Sequence, residues 1–153
     1  IPGLYTAKLT VNGKSYTQSF TVNMDPRVKT STADLQKQLD LSLLCYENRK
    51  NCTEILKEIH AFRSKLQSQL TNASLAIAEK LSPLEKQAAE LENAPPGSQA
   101  ISFGRLNNSF ASLFNLLQGS DMPPTNQAIA SITELKKQFE LLVRKWAQLK
   151  SKQ

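Results

Sequence analysis

Ser31-Thr-Ala-Asp-Leu-Gln-Lys-Gln-Leu-Asp-Leu-Ser-Leu-Leu-Cys-Tyr-Glu-Asn-Arg-Lys-Asn-Cys-Thr-Glu-Ile-Leu-Lys-Glu-Ile-His-Ala-Phe-Arg-Ser-Lys-Leu-Gln-Ser-Gln-Leu70 is the stretch that sets the architecture. It has neither Gly nor Pro, the two residues that most strongly interrupt a helix. Ser31 with Asp34 three residues on reads as a capping box with a shortened acid. Leu35, Leu39, Leu43 and Tyr46 step along one face of its first half. Leu41, Cys45, Asn48, Cys52, Ile55, Ile59, Phe62 and Leu66 then alternate in steps of four and three, a heptad-like seam. The polar run Glu47 to Asn51 leaves two readings open: one continuous helix, or a break at that point.

Upstream of this spine the period changes from helical to two. Tyr5, Ala7, Leu9 and Val11 alternate with Thr6, Lys8 and Thr10, and after Asn12-Gly13 the residues Tyr16, Phe20 and Val22 alternate with Thr17, Ser19 and Thr21. Asn-Gly supplies the two positive-φ residues of a type I′ turn, so residues 1–24 are expected to form a two-residue β-hairpin. The register should set Leu9 opposite Tyr16 and Tyr5 opposite Phe20. A lone hairpin is marginal in water, so its apolar face should cover a neighbour. Pro26 ends the strand, and residues 25–30 read as a linker.

Downstream, residues 31–153 are expected to be a helical bundle. Helix two should run from about Ala73 to Glu92, with Pro83 either kinking it or opening a fresh helix capped by Ser82. Pro95-Pro96-Gly97 marks a loop. Ser102 caps helix three, which shows Phe103, Leu106, Phe110, Leu113, Phe114 and Leu117 before Gly119. Met122-Pro123-Pro124 is a rigid connector, and Thr125 caps a fourth helix with Ala128, Ile132, Leu135, Phe139, Leu142, Trp146 and Leu149 on one stripe. The fold expected is mainly α: an up-down-up-down four-helix bundle, or a close variant, with a long first helix and an N-terminal β-hairpin. The shorter helices should cover the spine from Cys45 onward. Its Leu35–Leu39–Leu43 stripe should then be covered by the hairpin, or by helix four near Trp146.

The linker residues also carry a resemblance. The runs Pro2-Gly3-Leu4-Tyr5-Thr6, Leu9-Thr10-Val11-Asn12-Gly13, Tyr16-Thr17-Gln18, Thr21-Val22, and Met24-Asp25-Pro26-Arg27-Val28-Lys29-Thr30-Ser31 form one pattern with Ala33-Asp34-Leu35-Gln36 and Leu39-Asp40-Leu41-Ser42. It resembles the C-terminal region of large bacterial proteins built on sortilin-like or sialidase-like BNR-repeat β-propellers, often labelled glycosyl hydrolases. The resemblance is strongest over residues 2–42 and continues more loosely at Asn108-Ser109, at 121–125 and around Trp146. It implies that the hairpin is the last of an Ig-like domain and that a helical tail follows. It further implies an extracytoplasmic setting, with preceding domains of the same chain as partners. It assigns no catalytic residue here, because a propeller active site would lie before Ile1. The start at Ile1-Pro2-Gly3 is likewise read as an excerpt of a longer chain.

Composition excludes several classes. Hydrophobic content of 40% and charged content of 21% are those of a folded globular chain, and no apolar run is long enough for a membrane span. Of the net charge of +6, four units lie between Glu134 and Gln153. Cations in the last turns of a helix answer the helix dipole, and without interleaved aromatics they do not read as a nucleic-acid surface. Lys136, Lys137, Arg144 and Lys145 are kept as a candidate protein-interaction surface, together with Tyr5, Tyr16 and Phe20 of the hairpin.

The chemistry-bearing residues are sparse. Cys45 and Cys52 are about 10 Å apart along a continuous helix, beyond disulfide reach, and read as buried packing residues. His60 is the only histidine and has no triad partner in its stretch. Glu54/Glu58 and the Glu85–Glu90 run are expected to be solvated helix-face charges. Three Asn-X-Ser/Thr patterns, at Asn51, Asn72 and Asn107, are at chance level. There is no Gly-rich phosphate loop, so no cofactor, no metal and no catalytic residue is assigned. The expected function is a non-catalytic structural or protein-interaction module that docks on preceding domains or mediates assembly. Self-association would use the stripe of helix four. The alternative is an accessory or glycan-binding region of a glycoside hydrolase.

Overall fold

The structure is a computed structural model and describes residues 1–152. Strands β1 (Gly3–Val11) and β2 (Lys14–Val22) are followed by helices α1 (Thr32–Leu70), α2 (Leu75–Glu92), α3 (Phe103–Gln118) and α4 (Asn126–Lys150). The chain is mainly helical, with a long first helix and an N-terminal antiparallel hairpin.

The hairpin has the register its turn demands. Tyr5 lies opposite Phe20 and Leu9 opposite Tyr16. Asn12 and Gly13 take φ of 48° and 78°, the two left-handed residues of a type I′ turn. On the polar side, Thr10 and Ser15 hydroxyls meet at 3.0 Å and Thr6 and Ser19 at 3.4 Å.

α1 is continuous for 39 residues. Glu47, Arg49, Lys50 and Asn51 face solvent while Cys45 and Cys52 on either side are buried, so the polar run is one helix face and not a break. Asn48, on the seam, donates its side-chain amide to the Leu44 carbonyl at 2.9 Å and so satisfies itself within the helix. Ser31 Oγ accepts from the Asp34 backbone N–H at 3.1 Å and donates to its carboxylate at 2.7 Å, closing the first turn. Ser102 and Thr125 cap α3 and α4 in the same way, accepting from Arg105 and Ala128. α2 runs through Pro83 unbroken, so Ser82 does not open a new helix.

The four helices run up, down, down and up, so α2 and α3 do not alternate in direction. Gln67 meets Glu85 and His60 lies beside Glu92, so α2 descends along the second half of α1. Gln118 reaches Ser42 at 2.9 Å, and Gln38 donates to the Leu117 carbonyl, so α3 continues the same descent along the first half. α4 then climbs: Thr30 donates to the Asp121 carbonyl at its foot, and Trp146 and Lys150 reach Glu58 at its top. The lengths explain the arrangement. At 1.5 Å per residue α1 is ~58 Å long, and α2 and α3 end to end, at ~27 and ~24 Å, match it.

Tandem α2 and α3 therefore cover the spine for nearly its whole length, and the expectation for its first half changes. Neither the hairpin nor α4 near Trp146 covers the Leu35–Leu39–Leu43 stripe. Of this half's stripe only Leu35 is buried; Leu39, Leu43 and Tyr46 are 37%, 51% and 53% exposed. Most of the buried apolar residues form one cluster. Cys45, Cys52 and Ile59, one per heptad, are fully buried in one cluster with Phe103, Leu106 and Phe110 of α3, Ala88 of α2 and Ile132, Leu142 and Trp146 of α4; Leu66, the next in the series, is buried as well. Their seam companions Leu41, Ile55 and Phe62 form its rim. Gly104 is fixed by the α2–α3 junction: a Cβ there would stand 2.3 Å from Asn93 Oδ1 and 3.0 Å from the Glu92 carbonyl.

Candidate interaction surface

Every residue of both strands is exposed, and neither strand packs on a helix. Alternation sends Tyr5, Leu9, Val11, Tyr16, Phe20 and Val22 to one side, where they remain between 40% and 63% exposed. Tyr5 and Phe20 stack across the strands with ring centroids 6.0 Å apart. The face carries no charge except Lys14 at the turn, and neither strand contains Pro or a bulge. Sheets that end at an open edge are normally defended by such devices.

The linker that follows the hairpin is locally bonded. Arg27 makes a forked contact to the Asp25 carboxylate, through Nη2 at 2.7 Å and Nε at 3.0 Å, which holds that carboxyl below its ordinary range. The Val28 N–H closes a turn on the Asp25 carbonyl, and Thr30 anchors to the α3–α4 connector. At the foot of the sheet Ile1 and Val22 share a cleft of about 330 Å³ with Leu35 and Leu39 of α1. Only this foot of the hairpin reaches the spine, at Leu35 and Leu39.

Lys136, Lys137, Arg144 and Lys145 are all exposed on the outer side of α4, and none pairs with a carboxylate among the described residues. They lie on a different element from Tyr5, Tyr16 and Phe20, so the structure does not gather the candidates into one site. The stripe of α4 is unavailable for self-association, because Ala128, Ile132, Leu142, Trp146 and Leu149 are buried within the bundle.

The carboxylates depart from expectation. Glu54 has a local partner in Lys57, but Glu58 and Glu85 bridge helices. Glu58 accepts from Lys150 at 3.0 Å and from the Trp146 indole at 3.1 Å, and these contacts lower its pKa. Glu85 accepts from Arg63 at 2.8 Å and from Gln67 at 2.9 Å, and the guanidinium holds its carboxyl below the ordinary value. Arg63 also pairs with Glu92. Helical spacing gave no sign of these pairs, since each joins residues far apart in sequence. The one available signal was Glu85 falling on the apolar face of α2.

The remaining groups have little chemical reach. Burial pushes the Cys45 thiol up to about 11 and Cys52 to about 12, so neither offers a thiolate at neutral pH. His60 is exposed, 3.9 Å from Glu92. Among the described residues no cluster of His, Cys, Asp and Glu could hold a metal ion, and no helix is long and apolar enough to cross a membrane. An open trough of about 890 Å³ lies between α3 and α4, edged by Asn93, Arg105, Asn108 and Glu134. Arg105 is occupied by the Ser98 and Ala100 carbonyls and Glu134 by Gln138. Nothing there pairs a nucleophile with a base. No family model, no curated protein and no solved structure matches this chain.

Proposed function

We propose that this chain is a non-catalytic structural or protein-interaction module whose working surface is the apolar face of the hairpin. The observation that carries the reading is the uncovered row Tyr5, Leu9, Tyr16 and Phe20, held on a bundle whose own core is complete. A two-stranded sheet needs a third strand or a packed helix for independent stability, so this one is half of an interface. The resemblance of residues 2–42 adds a context: the C-terminal module of a larger, extracytoplasmic β-propeller protein, docking on preceding domains or mediating assembly. Hydrogen exchange on the chain in dilute solution tests the reading. Strand amides should exchange far faster than those of Cys52, Ile59 and Phe110, and strands as protected as the helices would overturn it. Glycoside turnover by the chain, abolished by Glu58→Gln or Glu85→Gln, would overturn its non-catalytic character.

A second reading draws on the stacked, exposed Tyr5 and Phe20 with Tyr16 on the same face. Such a platform suits the apolar face of a sugar ring, in an accessory region of a glycoside hydrolase. Glycan-array binding that is lost in Tyr5→Ala and Tyr16→Ala would support it; binding that survives both would remove it.

A further inference from the structure

Two apolar surfaces of this molecule lack cover, and each is the kind of surface the other requires. The hairpin needs a helix or more strands on its face. The Leu39–Leu43–Tyr46 stripe needs an apolar layer along the first half of α1. Within the chain they do not meet: no strand packs on a helix, and only the foot of the sheet at Ile1 and Val22 shares a cleft with Leu35 and Leu39. The linker between them carries the local Asp25–Arg27 pair and is attached through Thr30 to the α3–α4 connector.

The geometry points to a second copy of this chain as the partner, each hairpin lying on the α1 stripe of the other copy across a two-fold axis. The reading of the hairpin as half of an interface underlies this, and of its two uses, docking and assembly, it selects assembly. Reciprocal exchange is how an isologous dimer satisfies two different patches at once. The charges are compatible with it: on the apolar face of the hairpin the one charge is Lys14, and the stripe is flanked by Asp40 and Glu47, with Lys50 one turn beyond Tyr46. The area agrees as well. Six large apolar side chains on the hairpin face and three on the stripe stand roughly half exposed. At on the order of 100 Å² each, they supply about the ~800 Å² that each partner brings to a standard interface.

Sedimentation velocity and hydrogen exchange across a concentration series test it on the full chain. The expected result is a reversible dimer in which strand protection rises with concentration. Tyr16→Lys and Leu43→Asp each sit at exposed positions, so circular dichroism and thermal melting of the bundle should be unchanged, while each alone weakens association by about ten-fold or more. Mixing the two variants should restore association, because the hairpin of one and the stripe of the other are both intact. A dimer indifferent to Leu43→Asp would mean that hairpins pair with each other and would overturn the exchange. So would a mixture that stays monomeric. A monomer at all concentrations with fast-exchanging strands would overturn the second copy and leave the interaction module standing. A monomer with protected strands would overturn both.

Discussion

Phe20 and Phe110 are the same side chain in two situations. Phe110 is fully buried where α3 meets the heptad seam of α1, and Phe20 stands 48% exposed on a sheet that nothing covers. The bundle closes its own core because its helices can lie along one another in tandem. The hairpin holds its shape through a turn, a register and two cross-strand hydroxyl pairs, with no buried residue. The difference separates a part of the molecule that buries its own apolar face from a part that does not.

The sharpest way to break that comparison is to truncate both rings. Phe110→Ala should cost about 3–5 kcal/mol, as large core truncations do, and lower the denaturation midpoint of all four helices together. Phe20→Ala should move that midpoint by less than about 0.5 kcal/mol, as exposed substitutions do, in the same urea titration followed by circular dichroism. Equal losses would mean that the sheet contributes to the bundle core.

The next effect lies at the joint that lets α2 and α3 share one lane. Gly104→Ala places a methyl against the Glu92 carbonyl and the Asn93 side chain and should cost about 1–3 kcal/mol. Thermal melting should show it, with no change in exchange of the strand amides.

A smaller effect should appear with pH. Arg63 holds the Glu85 carboxyl below its ordinary value of 4.5. A group whose folded pKa is lowered contributes stability that is complete above the unfolded value and is lost as pH falls through the folded one. Unfolding free energy should therefore fall as the solution is acidified below that value, and Glu85→Gln should remove part of the slope. At neutral pH the substitution should cost about 1 kcal/mol, because both side chains keep some contact with water. A pH profile identical in Glu85→Gln and wild type would discard the pair as a contributor.

The smallest expected effect on the bundle comes from the turn. Gly13 sits at φ 78°, where any side chain is strained by about 1 kcal/mol. Gly13→Val should unravel the strand signals in NMR spectra while the helical melting curve stays in place.

The local choices were legible from neighbouring residues. The hairpin register followed from Asn12-Gly13, the caps from Ser31, Ser102 and Thr125, and the packing role of Cys45, Cys52 and Trp146 from helical spacing. Polar Glu47–Asn51 left the continuity of α1 open, because a solvent face and a break look alike until something is seen to bury the other side. The descent of α2 and α3 in one lane was not legible either. It depends on which helix ends abut, and the close approach of Gly104 to Glu92 is a contact between elements, not a pattern within one.

For the candidate surface the division is similar. Period-two alternation by itself determined that Tyr5, Tyr16 and Phe20 share a side, since successive side chains of a strand alternate faces. Spacing could not determine what meets that side. Only the tertiary structure decided that the hairpin leaves its own spine uncovered, that the α4 stripe is consumed inside the bundle, and that Glu58 and Glu85 work between helices. Periodicity reports which residues of one element share a face, whereas contacts between elements depend on helix lengths, junctions and tethers that act across the whole chain.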